Sequence, residues 1–170
     1  MEDLRGHSAS RAEVVIRPAE GDDVDLIVEL WWQLVSEHQR IDPFYWGLAE
    51  ESEARLRYRD LKARQLADPE QIHLAAEVRG RLAGYIHGSI VKRRDYYRAI
   101  SCGRVDEVVV DVNFRRQGVG KALLAGLAEA FEERGLACAE LTVDVENRVA
   151  QALYFAFGFQ ARELRLVKKI

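Results

Sequence analysis

The segment Arg115-Arg116-Gln117-Gly118-Val119-Gly120-Lys121 sets two glycines among three cations, between a run of valines and an amphipathic stretch. Glycines at a strand-to-helix junction let the backbone approach a ligand closely. The start of a helix offers unpaired N–H groups to an anion. Arg115, Arg116 and Lys121 add positive charge, so the segment has the chemistry of a pyrophosphate cradle. Two other phosphate loops are excluded by spacing. A Walker A loop needs a glycine where Arg115 stands and a Ser or Thr where Ala122 stands. The Gly-x-Gly-x-x-Gly spacing of a dinucleotide-binding turn is absent.

Other reactive side chains form no set. His7, His38, His73 and His87 are scattered without metal-ligand spacing, so no metal is expected. Cys102 and Cys138 form no Cys-x-x-Cys motif and read as buried thiols, not as a bridge or a nucleophile, in a reduced, cytoplasmic setting. His38 continues an apolar helical stripe and reads as a core histidine. His87 shares a strand face with Tyr85 and Ser89, a position from which it could line a cleft.

The elements that must position the loop follow from periodicity. Glu13–Arg17 reads as a strand ended by Pro18. A helix follows, with Asp22 or Asp23 as N-cap and with Ile27, Leu30, Trp31, Leu34 and Val35 on one stripe. Asp42-Pro43 stops it, and Phe44-Tyr45-Trp46-Gly47 makes an aromatic loop. A more polar helix covers Ala49 to Leu66. Strands are expected at His73–Val78 and Leu82–Val91, joined by a turn at Arg79-Gly80. Lys92–Arg98 is a charged loop, and Cys102–Val112 a valine-rich strand. A helix runs from about Gly118 to Arg134, with Gly135 as its stop. Cys138–Val145 alternates cleanly and reads as a strand. Asn147 starts a short helix through Phe155, and closing strands run from Phe157 to Lys168.

The chain has 170 residues and a net charge of −3, with both signs mixed along it. One domain over residues 13–170, preceded by a flexible leader over residues 1–12, accounts for that length. The charge gives no footprint for nucleic acid or an anionic membrane. No apolar run is long enough to span a bilayer.

With these elements around it, Arg115–Gly120 resembles the (Gln/Arg)-x-x-Gly-x-(Gly/Ala) signature of the GNAT superfamily of N-acyltransferases. Asn147-x-x-Ala150-x-x-x-Tyr154-x-x-x-Gly158-Phe159 is similar to a second pattern of that family. The resemblance runs from about Leu74 to Lys168. It implies a mixed α/β sandwich whose mostly antiparallel sheet splays between the strand at Val105–Val112 and the strand at Cys138–Val145. The co-substrate it implies is acetyl-CoA. The backbone of Val108, Val109 and Val110 would pair with the pantetheine arm, Arg115, Arg116, Gln117, Gly118, Val119, Gly120 and Lys121 would hold the pyrophosphate, and Asn147 would touch the arm.

The implied reaction is direct acetyl transfer to a primary amine of a small molecule or peptide, in a ternary complex. Tyr154 is the expected acid for the departing thiolate. Asp106 and Glu107 are candidate bases, since polyamine-type members of the family carry an acidic pair there. Consecutive strand residues point to opposite faces, so one of the two is expected to reach the amine. Phe44, Tyr45 and Trp46 are expected to wall the acceptor site, and a homodimer is a further possibility that the family suggests. A non-catalytic acyl-CoA-binding regulator and an adapter that has lost the cofactor are the alternatives; Tyr154 with the acidic pair weighs against the first, and the Arg115–Gly120 loop against the second.

Overall fold

The computed structural model describes residues 13–91 and 101–169. The expected leader and the charged loop Lys92–Arg98 lie outside the described residues. Strands β1 (Val14–Pro18), β2 (Ile72–Val78), β3 (Arg81–Val91), β4 (Cys102–Val110) and β5 (Cys138–Leu141) form one sheet in that order. The first three pairings are antiparallel and the β4–β5 pairing is parallel. Helices α1 (Val24–Ile41) and α2 (Glu51–Leu66) cover one face, and α3 (Val119–Glu133) and α4 (Arg148–Phe157) the other. The mixed α/β sandwich expected from the sequence is therefore present.

Alternation along the central strands builds both cores. Tyr85 and Val109 stand opposite each other in register and pack with Ile27, Val28 and Leu30 of α1 and Tyr58 of α2. Their register neighbours Ile86 and Val108 pack with Leu123, Leu127 and Phe131 of α3. That helix lies close against the sheet: a Cβ on Gly88 would come within 2.8 Å of Leu127 and Phe131, and one on Gly103 would strike the Phe131 ring. Asp23 stands at the N-cap of α1 but caps no helix amide. Its carboxylate takes two guanidinium nitrogens of Arg17 at 2.7 and 2.8 Å and the amide of Glu20 at 2.8 Å, which ties β1 to α1. The Arg17 hydrogen bonds hold the Asp23 carboxyl below the usual carboxylate range.

Three expectations are corrected. The alternating stretch Cys138–Val145 is a strand only to Leu141. Its ladder with β4 ends at Val105, where β4 carries a bulge: His87 pairs with Glu107 and Gly88 with Val105, leaving Asp106 as the extra residue. A bulge bends its strand and raises the local twist, so β4 turns away and residues 142–145 lose their partner. They enter a turn in which the Asn147 amide donates to the Asp144 carbonyl at 3.0 Å. The closing strands are absent, and residues 159–169 have no regular structure. Finally, Cys102 and Cys138 are disulfide-bonded, with Cα atoms 4.7 Å apart. They form the first register pair of the β4–β5 ladder, a proximity that their separation in sequence conceals. No helix among the described residues is long and apolar enough to cross a membrane.

Candidate active site

The sheet opens where the β4–β5 ladder stops. Beyond Val105, β4 is paired, among the described residues, with β3 alone. The Asp111 amide donates to the Ala83 carbonyl on the β3 side at 2.9 Å. Backbone groups of alternate residues point to alternate sides of a strand, so those of Val108 and Val110 face the opening. Consistent with that, the Val110 carbonyl accepts from Arg115 Nε at 3.2 Å instead of from β3.

The glycine loop lies at the same end. The Asp111 carboxylate accepts the Asn113 amide at 2.8 Å and starts a short 3-10 turn over Val112–Phe114. Arg116 and Gly118 have φ of 62° and 92°, so the chain turns through the left-handed region twice before α3 begins. Gly118 is the N-cap and makes no side-chain cap, which leaves the first-turn amides of Val119, Gly120 and Lys121 without helical partners. Gly120 answers a packing demand: a Cβ there would come within 3.1 Å of Leu153 on α4. Arg115 is drawn to α1 by Glu37 at 2.6 Å, and Gln117 Nε2 donates to the Asn113 carbonyl at 3.1 Å. Arg116 and Lys121 are exposed.

On the segment that follows β5, Asn147 is the N-cap of α4 and its Oδ1 accepts the Ala150 amide at 3.1 Å. Two turns further on, the Tyr154 ring is buried in the α3–α4 core, edge-on to Phe159 with 6.0 Å between centroids. Burial pushes its phenol up to about 12, so it is a neutral O–H donor at physiological pH.

On the other side of β4 is a cleft of about 430 Å³ between α1, α2 and the bulge, with both Asp106 and Glu107 in its lining. The expectation that the two point to opposite faces fails, because the bulge breaks the alternation. The two carboxylates differ in their partners. Glu107 accepts Tyr58 O–H at 2.7 and 2.8 Å and Lys62 Nζ at 3.0 Å. Lys62 is only 1% exposed, and Trp31 stacks on Tyr58 with 4.1 Å between centroids. The Asp106 carboxylate has His87 Nε2 at 4.0 Å, beyond hydrogen-bond range. Tyr58, Lys62 and Trp31 were not singled out from sequence as site residues; the one available signal is that Tyr58 and Lys62 are one turn apart on α2.

His87 lines this cleft with Ser89, whereas Tyr85 is fully buried behind them. His87 Nε2–H donates to Gln71 Oε1 at 2.6 Å, and its ring stacks on His73 at 4.3 Å. Burial, reinforced by the Lys62 ammonium, lowers His73 to about 4 and His87 to about 3. Both rings are therefore neutral in the folded state at neutral pH, while in the unfolded chain they take up protons near 6.5. The unfolded state binds more protons below that value, so stability falls as pH drops from about 6.5 toward about 4, by roughly 1 kcal/mol per pH unit per histidine. Denaturant melts of wild type and His87→Gln between pH 7 and 5 should show the shallower fall in the variant; parallel curves would refute the linkage.

The aromatic loop does not line this cleft. Trp46 stacks on His38 at 4.9 Å, and its indole N–H donates to Asp144 at 3.0 Å, which ties the loop to the segment leaving β5. Burial lowers the half-buried His38, in keeping with its reading as a packed histidine. Phe44 and Tyr45 are largely exposed, with Lys169 Nζ 4.2 Å from the Phe44 centroid.

A five-stranded, mostly antiparallel sheet that opens at its parallel edge, flanked by these helices, is the fold of the GNAT N-acyltransferases. The model of the acetyltransferase (GNAT) family matches residues 31–159, and the chain belongs to that family. An uncharacterised N-acetyltransferase of Methanocaldococcus jannaschii is 29% identical over 165 residues, covering 91% of this chain and 66% of the relative. The ribosomal protein bS18-alanine N-acetyltransferase of Escherichia coli is 41% identical over 58 residues, which are 34% of this chain and 39% of the relative. The chain thus matches just under two thirds of one of these relatives and well under half of the other. A solved GCN5-related N-acetyltransferase from Ralstonia eutropha superposes with a TM-score of 0.72 at 22% identity, over 93% of this chain and 99% of that one.

Proposed function

We propose that the protein transfers an acetyl group from acetyl-CoA directly to a primary amine in a ternary complex. The observation that carries this reading is the edge of β4 left unpaired by the described residues, with the glycine loop at its end and an acid-lined cleft on the other side of the strand. Acetyl-CoA supplies an activated acyl group, and everything else falls to side chains and amides of this chain.

The residues present suit the co-substrate. The amides of Val119, Gly120 and Lys121 would bind the pyrophosphate, helped by the charges of Arg116 and Lys121. The backbone of Val108 and Val110 would hold the pantetheine arm, and a strand N–H here can polarise the thioester carbonyl. Asn147 would meet the arm through its amide nitrogen, since Oδ1 caps α4. An alkyl ammonium has a pKa of about 10.4, so the amine must lose a proton before it attacks. Asp106 accepts that proton, directly or through one water, because its oxygens take no hydrogen bond from the described residues, whereas those of Glu107 are engaged. Tyr154 gives its proton to the thiolate. Since Trp46 joins the first helical pair to the end of β5, the aromatic loop would border the opening from outside the cleft.

The bS18-alanine relative is matched over too little of its length for its acceptor to be carried across. Titration of acetyl-CoA by calorimetry tests the cofactor half of the reading. Gly118→Val places a β-branched side chain at φ 92° and disorders the amide cradle. It should weaken binding by about tenfold or more, and more than Arg116→Ala does. Unchanged affinity in Gly118→Val would sink the pyrophosphate assignment.

A further inference from the structure

We infer that Lys62 sets the acceptor specificity of the cleft: by closing an ion pair with Glu107 it leaves Asp106 as the single uncompensated charge among the described lining residues, which fits the cleft to an amine with one ammonium and an apolar body and against a diamine. This rests on the acyltransferase reading of the cleft given above.

Lys62 Nζ lies 3.0 Å from Glu107, and the side chains are 2% and 11% exposed. Tyr58 O–H adds two contacts to the same carboxylate, so both of its oxygens are taken by fixed donors of α2. A buried pair with satisfied hydrogen bonds is costly to open, because separating it leaves one charge unpaired in a poorly solvated place. An incoming second ammonium would have to displace Lys62 to gain Glu107. Asp106 has no such partner among the described residues, and the bulge turns it into the same cleft. The described lining then sums to one negative charge: Lys62 and Glu107 cancel, His87 is neutral, and Asp106 remains. Trp31, Leu34 and Leu61 add apolar surface to the lining and can cover a hydrocarbon body, beside the uncharged polar side chains of Gln65, Gln71 and Ser89. An acidic pair adjacent in sequence suggests a site for two amines; the buried lysine on α2 removes half of it.

Hexylamine and hexamethylenediamine differ in one charge and share a hydrocarbon length, so they isolate the effect. Each is titrated into the full chain by calorimetry, with and without CoA. Wild type should bind hexylamine at least about tenfold more tightly, the scale of one partly buried ion pair. Lys62→Met should move that ratio toward the diamine by a similar factor, and Lys62→Arg should restore it. Equal or tighter diamine binding by wild type overturns the inference without any variant, which covers the case in which Lys62→Met fails to fold. So does a folded Lys62→Met with an unchanged ratio. CoA binding without amine selectivity sinks this inference alone. Selectivity without CoA binding sinks the acyltransferase reading, and with it the acceptor role of the cleft, while the charge selectivity set by Lys62 stands.

Discussion

Tyr154→Phe should fold, bind acetyl-CoA with nearly wild-type affinity, and lose on the order of a hundredfold to ten-thousandfold in kcat, the range set by a lost general acid. The ring sits in the α3–α4 core against Phe159, and phenylalanine keeps that packing. What goes is one O–H, held protonated by burial at a pKa near 12. A donor that stays neutral through the working pH range is suited to meet a thiolate as it forms, and is of little use to the ground-state thioester. The loss should therefore appear in kcat, with a smaller change in KM for the co-substrate. Steady-state kinetics beside a thermal melt decide it. A stable variant with full kcat would leave Tyr154 as a packing residue, and thiolate release would need no protein acid.

Asp106→Asn should cost about a hundredfold or more in kcat/KM near neutral pH. Recovery as pH rises toward the amine pKa of about 10.4 is expected, because the free amine then forms without help. Glu107→Gln should behave differently. It removes the counter-ion of a buried lysine, and breaking such a pair typically costs about 3 kcal/mol or more of stability. Its first symptom is a lowered Tm, with kcat/KM falling less than in Asp106→Asn at temperatures where it is folded. A pH–rate profile for each variant separates the two. If Glu107→Gln shows the activity loss that recovers at high pH and Asp106→Asn does not, the roles are exchanged.

Much of this was legible in the sequence because it depends on local pattern. The apolar stripe of α1, the Asp42-Pro43 stop, the alternation of β2 and β3 and the glycines before α3 are short-range signals, and each element formed where its signal lay. The bulge at Asp106 has no such signal. It arises from how β4 is laid against β3, and it decides both that the two carboxylates share a cleft and that the parallel ladder stops at Val105. The alternation of residues 142–145 is genuine, yet a strand needs a neighbour, and β4 has turned away. Lys62 was hidden for a related reason. In a helix as polar as α2 a lysine reads as solvated, and only the tertiary position of Glu107 makes burial tolerable. Cys102 and Cys138 met through register, which their spacing does not encode.

The most direct measurement is thiol released from acetyl-CoA by the full chain across a panel of small primary amines and peptides, read together with the mass of the acceptor. The account predicts amine-dependent release, matched one for one by acetylated amine and falling steeply in Asp106→Asn and Tyr154→Phe. Tight acetyl-CoA binding with no amine-dependent release from any member of the panel would contradict it, and would leave a protein that holds the co-substrate without spending it.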